Sequence, residues 1–365
     1  MPEKENEMKI LYLINFAGKA GTEKYVKNLI EAYDRKKAEC HFAYSIAGPL
    51  SEEMLEKNIP SLRLKMRFPL DLIAAKKLAD YCRKNQIDVI CPQYPRENAI
   101  AVLSRFFYKK PKVVFTSHLT ISCNFVWRII NRMLTPHDHK VISVCTHGKK
   151  LLIGNGVKRN KIEVVLNAIE TEGGKGESTI REELKLSDEF IISIMARYHY
   201  SKGLDFLVKV IGELKRMTDI PFKLLIMGDG EERDNITGLI EKYGLENDIL
   251  QLGYRIDTDN VLNGTDLYVN SSSSLEALSF AILEALAKGI PAVVTTAGGN
   301  TDIVNDETGC GIAVEYGDIK GMASAINKIM SAKELYDKMS ANAIKTIKGK
   351  FNYNTMLDKT FECYK

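Results

Sequence analysis

Two glutamates separated by seven residues, Glu276 and Glu284, lie in a stretch whose local pattern predicts a ligand site. Ser279 is predicted to cap a helix through the apolar run that follows it, with Gly289 at the end of the helix and Pro291 shortly after. Free backbone N–H groups and the positive end of the helix dipole attract phosphate to such a start. Carboxylates repel phosphate but accept hydrogen bonds from hydroxyls. The stretch therefore predicts a ligand with both phosphate and hydroxyl groups.

Two cations and a histidine are the other candidates for chemistry. Arg197 follows a predicted strand and Lys202 precedes a predicted helix, so both are expected at the carboxyl end of a strand. Two cations there can neutralise the charge of a diphosphate, whereas a pair of surface bases is the alternative. His118 ends another predicted strand, where a histidine either packs, caps or takes part in a site.

The first half of the chain alternates between strand and helix patterns. Strands separated by helices of this length form a parallel sheet that is covered on both faces. A glycine turn with Gly18 and Gly21 joins the first strand to the first helix and brings backbone amides to a helix start. The predicted strands are 9–16, 39–46, 61–66, 88–93, 112–118 and 140–144, and the predicted helices are 22–37, 51–58, 71–85, 97–107, 124–134 and 146–154.

A second alternation of the same kind follows the polar, glycine-bearing segment 170–189, which is the best candidate for a linker. We therefore expect an α/β protein with two Rossmann-like domains, 1–169 and 190–345, that face a central cleft. Ligands of such sheets bind at the carboxyl ends of the strands. The predicted strands are 190–197, 222–228, 249–254 and 266–271, and the predicted helices are 204–217, 231–244, 258–264 and 318–330. The stretch around Glu276 and Glu284 adds its own helix, followed by a β-branched strand and a Gly-Gly turn.

Composition limits the class of protein. The chain has 365 residues, 45% of them apolar, and no apolar run approaches the length of a membrane span. Its first residues are acidic as well as basic, unlike a secretory signal, so we expect a cytoplasmic protein. The seven cysteines include no Cys-x-x-Cys pair, which argues against a zinc knuckle and a disulfide scaffold.

Charge is distributed unevenly between the two halves. Through Ala168 there are 29 Lys and Arg against 16 Asp and Glu, which leaves 22 against 31 for the remainder. The first half therefore carries +13 and the second −9. Such an excess indicates either an anionic partner, such as a phospholipid headgroup or a lipid pyrophosphate, or a solvated basic face. The segments 104–112 and 124–134 interleave basic, aromatic and apolar residues, so they either rest on a membrane surface or pack in the core.

Short segments along the chain resemble those of one enzyme family. The element from Glu276 to Glu284 continues through EALAKGIPAVVTTAGG, and ARYHYSKGLDFLVKVI holds Arg197 and Lys202 in an Arg-x(n)-Lys-Gly arrangement. LLIMGDGEE, AGTEKYVKNL, FTSHLT with His118, and VVLNAIE complete the series. Together they resemble the retaining glycosyltransferases of family 4, which have the GT-B fold. The departures are Ala20, Ala168, Glu170, Ala277 and the pair Thr301-Asp302, and none removes a charged group of the expected donor site. Ala277, next to Glu276, leaves the identity of the sugar open.

The resemblance implies transfer of a sugar from a nucleotide diphosphate donor, with UDP the expected nucleotide, to a hydroxyl of a lipid-linked or growing polysaccharide. It implies that the second domain binds the donor, that the first binds the acceptor, and that segment 346–365 packs back on the first. Glu284 would bind ribose, Glu276 would face the donor sugar, and His118 would bind or polarise near the reacting hydroxyl. The amides of Ser279, Phe280, Ala281 and Ile282 would hold the distal phosphate, with the loop of Gly18 and Gly21 contacting the diphosphate or the acceptor.

No cofactor or metal is expected. Asp257 and Asp259 match an Asp-x-Asp metal pattern, but they lie directly before a predicted helix, where a cap is the better interpretation. His137 and His139 have no second ligand cluster to support a metal site. Nucleic acid is not expected as a partner. A peripheral contact with the inner face of the membrane is a hypothesis, with core packing of the segments 104–112 and 124–134 as the alternative. An epimerase of the same fold and a non-catalytic nucleotide-binding paralogue are the alternatives.

Overall fold

The computed structural model describes residues 7–34, 38–118, 122–170, 173–274 and 276–365. Backbone contacts divide the chain into two units. The first unit comprises Met1–Asn167 together with Asn354–Lys365, and the second comprises Ala168–Tyr353. The α/β class expected from the alternating patterns is confirmed, because each unit contains a parallel sheet with helices.

The sheet of the first unit has seven strands in the order β3-β2-β1-β4-β5-β6-β7 among its described residues. All recorded pairs are parallel, and β1 lies between β2 and β4, so that Ile10 pairs with both Cys40 and Val89. Burial of both faces explains why these strands are almost continuously apolar. The strands are β1 (Lys9–Phe16), β2 (Glu39–Ile46), β3 (Ser61–Arg63), β4 (Val89–Pro92), β5 (Lys112–Ser117), β6 (Lys140–Ser143) and β7 (Ile162–Val164).

Helices connect these strands, and their starts follow local capping chemistry. The Asp71 carboxylate accepts a hydrogen bond from the backbone N–H of Ala74, and the Asn124 side chain accepts one from Trp127, so each caps the helix that it precedes. The helices are α1 (Gly21–Asp34), α2 (Pro49–Glu56), α3 (Leu72–Asn85), α4 (Pro95–Ser104), α5 (Phe125–Leu134) and α6 (Thr146–Gly154), with short 3-10 turns at Thr135–His137 and Arg159–Lys161.

The carboxyl-terminal residues of the chain pack into the first unit. Tyr33 donates a hydrogen bond of 2.6 Å to the carbonyl of Leu357, and its ring lies 5.3 Å from that of Phe361. The hydroxyls of Tyr12 and Tyr364 are 3.4 Å apart in the interior. These buried contacts attach the last helix of the chain to α1 and β1.

The sheet of the second unit is also parallel, with the order β10-β9-β8-β11-β12-β13 for its six described strands. One large cluster of buried Ile, Leu and Val side chains covers it, with contributions from the helices after the first, second and last strands. The strands are β8 (Phe190–Met195), β9 (Phe222–Met227), β10 (Ile249–Gly253), β11 (Leu267–Asn270), β12 (Ala292–Thr295) and β13 (Gly311–Val314).

The helices of the second unit alternate with its strands as far as β13, after which two helices follow in succession. The segment 170–189, expected as a linker, contains one helix of this unit, and Ile180 on that helix is fully buried. Lys175 and Ser178 also donate hydrogen bonds to the carbonyls of Thr265 and Asn260. The helices are α7 (Ile180–Glu183), α8 (Leu204–Met217), α9 (Arg233–Lys242), α10 (Thr258–Asn263), α11 (Phe280–Ala287), α12 (Asn300–Ile303), α13 (Ile319–Ser331) and α14 (Lys333–Gly349). The last helix of the chain, α15 (Tyr353–Glu362), belongs to the first unit except for Tyr353.

Candidate functional site

In the second unit, the predicted site residues gather where the strand order reverses. The strands β8 and β11 are neighbours. After β8 the chain continues to β9 on one side, and after β11 it continues to β12 on the other side. Arg197 and Lys202 follow β8, and Glu276 and Ser279 follow β11, so all four belong to the loops at this reversal. Crevices at such points are where open parallel sheets bind ligands.

Lys202 and Glu276 form an ion pair. The Glu276 side chain is buried, and its Oε1 atom also accepts a hydrogen bond of 2.6 Å from the hydroxyl of Ser272. A buried carboxylate is tolerated when it is paired and hydrogen-bonded, as this one is. The sequence did not single out Ser272, because it is one of four successive serines and nothing in the pattern distinguishes it.

Hydrogen bonds to the backbone join the loop after β8 to the loop after β11. The hydroxyl of Ser271 donates to the carbonyl of Lys202 over 2.8 Å, and the N–H of Ser273 donates to the carbonyl of Ser201 over 2.9 Å. Gly203 has a φ of +61°, and a Cβ atom there would lie 2.2 Å from the Ser271 carbonyl oxygen. The glycine after Lys202 is therefore required by both conformation and space.

The Gly-Gly turn after β12 closes on the backbone of Glu276. Gly299 donates its N–H to the Glu276 carbonyl over 3.1 Å. Gly298 has a φ of +54°, and a Cβ atom there would lie 1.9 Å from the same carbonyl oxygen. The turn thus fixes the position from which the Glu276 carboxylate reaches Lys202.

Arg197 is exposed at the end of β8. The glycines of the predicted Gly-x-Gly turn pack against the backbone beside it, because a Cβ atom on Gly228 would lie 2.0 Å from the carbonyl oxygen of Ala196. Gly230 makes a similar approach to the carbonyl of Tyr198, at 2.5 Å. The structure thus brings Arg197 next to the Gly-x-Gly turn.

Helix α11 begins directly after Ser279, as predicted, with Phe280, Ala281 and Ile282 in its first turn. Glu284 lies in the second turn and is half-buried. Among the described residues the Ser279 side chain makes no capping hydrogen bond, so the hydroxyl expected to cap the helix does not do so. The first-turn N–H groups of a helix lack partners within the helix, which makes this start suited to an anion.

In the first unit, His118 lies just after β5 beside Gln93, which follows β4. The Gln93 amide donates to the carbonyl of Cys91 over 2.9 Å, which directs its Oε1 atom towards His118 Nε2, 3.0 Å away. The histidine therefore carries its proton on Nε2 and keeps the Nδ1 lone pair as an acceptor. Desolvation lowers the pKa of His118 to about 3, so the ring is neutral near pH 7. Sequence reasoning did not identify Gln93, because a lone glutamine after a strand has no distinctive pattern.

Gly18 and Gly21 also belong to the first unit. Gly18 is buried in the loop after β1, where a Cβ atom would lie 2.7 Å from the Phe16 ring, and Gly21 is the first residue of α1. Their expected contact with the ligand stays a prediction.

Asp257 occupies the N-cap position of α10, but its side chain makes no capping bond there among the described residues. Instead the carboxylate accepts hydrogen bonds from Arg255, which lower the pKa of Asp257 to about 2. Asp259 pairs with Lys288 at 2.7 Å. Within the described residues no group of three or more potential metal ligands occurs, and His137 and His139 are therefore not part of one.

Comparisons with known proteins agree with this geometry. Residues 20–172 match the family model described as Glycosyltransferase Family 4, and residues 176–346 match the one described as Glycosyl transferases group 1. The two matches follow each other along the chain and leave few residues outside. The chain is a glycosyltransferase of the family 4 type.

Individual relatives of this glycosyltransferase are distant. It is 31% identical to the lipopolysaccharide core biosynthesis glycosyltransferase LpsE of Rhizobium meliloti over 47% of the chain and 48% of LpsE, about half the length of that relative. It is 23% identical to the UDP-Gal:alpha-D-GlcNAc-diphosphoundecaprenol alpha-1,3-galactosyltransferase of Escherichia coli over 87% of the chain and 86% of the relative. The crystal structure of HepE from Anabaena in complex with UDP has a TM-score of 0.87 at 20% identity, covering 97% and 99% of the two chains. The GT-B fold expected from the sequence is thus confirmed.

Proposed function

We propose that this glycosyltransferase moves a sugar from a nucleoside diphosphate donor, a UDP-sugar, to a hydroxyl of a lipid-linked or growing polysaccharide acceptor. The observation that carries the proposal is the Lys202–Glu276 ion pair at the strand reversal, in the loop that leads to the start of α11. It combines a cation for the diphosphate with a carboxylate for sugar hydroxyls. UDP in the HepE complex and the UDP-sugar and lipid diphosphate in the name of the E. coli relative support the same chemistry.

The donor would be held by groups of opposite character. Arg197 and Lys202 would bind the diphosphate, and the amides at the start of α11 would bind its distal phosphate. Glu284 would accept hydrogen bonds from the ribose hydroxyls. In the reaction, the bond between the anomeric carbon and the β-phosphate oxygen breaks, and negative charge develops on the diphosphate. Cations positioned at that charge stabilise the transition state more than the ground state.

We further propose that transfer occurs with retention and without a metal ion. The acceptor oxygen would bond to the anomeric carbon on the face that the diphosphate leaves, and the hydroxyl proton would pass to a phosphate oxygen. His118 is neutral with its lone pair on Nδ1, so it can accept a hydrogen bond from a substrate hydroxyl without taking its proton. Arg197 and Lys202 supply the positive charge that a metal ion provides in other transferases.

An assay with a panel of nucleotide sugars tests this function. Incubation with a lipid-linked saccharide should release the nucleoside diphosphate in proportion to the sugar transferred, and omitting the acceptor should suppress release. Isomerisation of the donor without release would instead identify an epimerase of the same fold.

The first unit offers a surface for the expected membrane contact. Helix α5 leaves Phe125 75% and Met133 68% exposed, with Ile129 between them and Arg128 and Arg132 on the same helix. Arg105 donates a hydrogen bond to the carbonyl of His137 in the turn after α5, so the basic segment 104–112 is a neighbour. Exposed apolar side chains beside cations match an anionic bilayer surface. Within the described ranges no helix has both the length and the apolar character needed to cross a bilayer.

We therefore propose that α5 rests on anionic phospholipid at the cytoplasmic face of the membrane. Sedimentation with phosphatidylglycerol vesicles should carry the protein down, and phosphatidylcholine vesicles should not. The double variant Phe125→Ser/Met133→Ser should lose binding, whereas Leu55→Ser, at a comparably exposed leucine of α2, should keep it. Equal sedimentation of both variants would exclude α5 as the contact.

A further inference from the structure

The first unit contains a cavity of about 590 Å³ that none of the site residues discussed so far lines. Its walls include Asn15 and Phe16 at the end of β1, Tyr94 and Glu97 beyond β4, and Trp127 on α5. The strands β1 and β4 are neighbours from which the chain turns to opposite sides, towards β2 and towards β5. The cavity therefore lies at the strand reversal of the first sheet, the same topological position as the Lys202–Glu276 pair in the second.

Two buried carboxylates line this cavity without full pairing. Glu23, in the first turn of α1, is 7% exposed, and Glu97, in the first turn of α4, is 1% exposed. Within the described part of the chain, Glu23 Oε2 and Glu97 Oε1 have no hydrogen-bond partner. Burial raises the pKa of Glu97 to about 7, despite the nearby Arg96.

Stabilisation of the helix starts does not account for this arrangement. An acidic side chain interacts favourably with a helix amino terminus while it stays in solvent. Burying a carboxylate oxygen without a partner instead destabilises the fold, and proteins satisfy nearly all such groups. Two residues that line one cavity and each hold an unsatisfied carboxylate oxygen indicate that hydrogen-bond donors come from a ligand.

The remaining walls suit a saccharide. Phe16, Tyr94 and Trp127 offer apolar ring surface for the C–H face of a pyranose, and the carboxylates accept hydrogen bonds from its O–H or N–H groups. A third acidic group would meet like charges at low dielectric, which is strongly unfavourable. The Tyr94 ring also contacts that of His118, at 6.3 Å between centroids, so the cavity lies beside the histidine expected near the reacting hydroxyl.

We infer that this cavity binds a saccharide unit of the acceptor that carries hydroxyl or amino groups and no acidic group, with Glu23 and Glu97 accepting its hydrogen bonds. That the bound saccharide belongs to the acceptor rests on the proposed function, but binding itself needs neither donor nor transfer. The basic surface of the first unit then selects an anionic acceptor as a whole, while the cavity selects an uncharged or cationic sugar within it.

Trp127 is the only tryptophan of the chain, so intrinsic fluorescence reports on this cavity directly. The full-length protein, without donor, is titrated at pH 8, above the pKa of Glu97, with methyl glucoside, glucosamine and glucuronic acid. We expect saturable fluorescence changes with methyl glucoside and glucosamine and none with glucuronic acid. No response to any sugar, or an equal response to glucuronic acid, would overturn the inference.

The variant Glu97→Gln provides the second arm, because it keeps the shape of the side chain and removes a charged acceptor. It should weaken glucosamine binding roughly tenfold. Glu56→Gln, at an exposed position on α2, is the matched control and should bind as the wild type does. Unchanged binding in Glu97→Gln would contradict the assignment even if sugars bind. Transfer without a fluorescence response would refute this site alone, and a response without transfer would refute the proposed function alone.

Discussion

The ammonium group of Lys202 binds the carboxylate of Glu276 across 74 residues of the chain. The pair joins the loop after β8 to the loop after β11, and the serine and glycine contacts around it leave little freedom to either. A diphosphate would therefore meet a cation that is already positioned. The nearby carboxylate would compete for that cation until a sugar hydroxyl engages it.

Replacing Lys202 should separate catalysis from folding. Lys202→Ala removes a cation that we propose binds the leaving diphosphate, and we expect transfer to fall by at least about 100-fold. It also strands the buried Glu276 carboxylate, which should lower the free energy of unfolding by up to about 3 kcal/mol. Steady-state kinetics and urea unfolding measure the two effects.

The double variant Lys202→Met/Glu276→Gln is the control for that loss. Removal of both charges should restore stability towards that of the wild type without restoring transfer. Recovery of activity in the double variant would show that Lys202 serves the fold and not the diphosphate. Lys209→Ala, which breaks an exposed pair with Asp205, should leave both properties unchanged.

Gly298→Ala should impair transfer through the backbone of Glu276. Both Gly298 and Gly317 have positive φ, at +54° and +94°, so alanine introduces similar backbone strain at each, about 1 kcal/mol. A Cβ atom on Gly298 would collide with the Glu276 carbonyl, whereas Gly317 has nothing within 4 Å. Gly317→Ala should thus lose only stability, and Gly298→Ala should lose kcat as well; equal kcat in the two would contradict the role of the Gly-Gly turn.

The stability of the first unit should depend on the protonation of Glu97. Because burial raises the pKa of this carboxyl to about 7 from an ordinary value of 4.5, its neutral form is favoured in the folded state. Its contribution is present in full below pH 4.5 and is lost as the pH rises through 7, on the order of 3 kcal/mol. Urea unfolding is followed by Trp127 fluorescence. The free energy of unfolding of Glu97→Gln, relative to that of the wild type, should be higher at pH 8 than at pH 5. A constant difference would exclude the titration.

Chelation should leave transfer intact. Asp257 and Asp259 are engaged by Arg255 and Lys288, and the proposed leaving-group charge is met by Arg197 and Lys202. Activity measured with EDTA should therefore equal activity measured with Mg²⁺ or Mn²⁺. A requirement for metal would place the leaving-group charge on an ion instead.

The sequence predicted most of the strands because apolar periodicity is a local property. The strands β7 and β13 were not predicted. Each lies at the edge of its sheet and is mostly half-buried or exposed, so it lacks the fully apolar run of a central strand. The packing of segment 170–189 on the second unit was also missed, because a polar segment can be held by contacts such as Ser178 with Asn260 that no pattern reveals.

Within the sites, residue types and strand ends were predictable, whereas pairing was not. The ion pair of Lys202 with Glu276, the proton position on His118 and the burial of Glu97 depend on residues far apart in sequence. Each is set by how neighbouring strands place their loops. A resemblance in motifs identifies which residues matter, but only the three-dimensional structure shows which atoms have hydrogen-bond partners.

The most direct test of the central claim is an NMR measurement of the product formed from an α-linked UDP-sugar and a lipid-linked acceptor. Retaining transfer predicts that UDP appears in equal amount to an α-linked product, and that Lys202→Ala forms neither at a comparable rate. A β-linked product, or conversion of the donor without UDP release, would contradict the account.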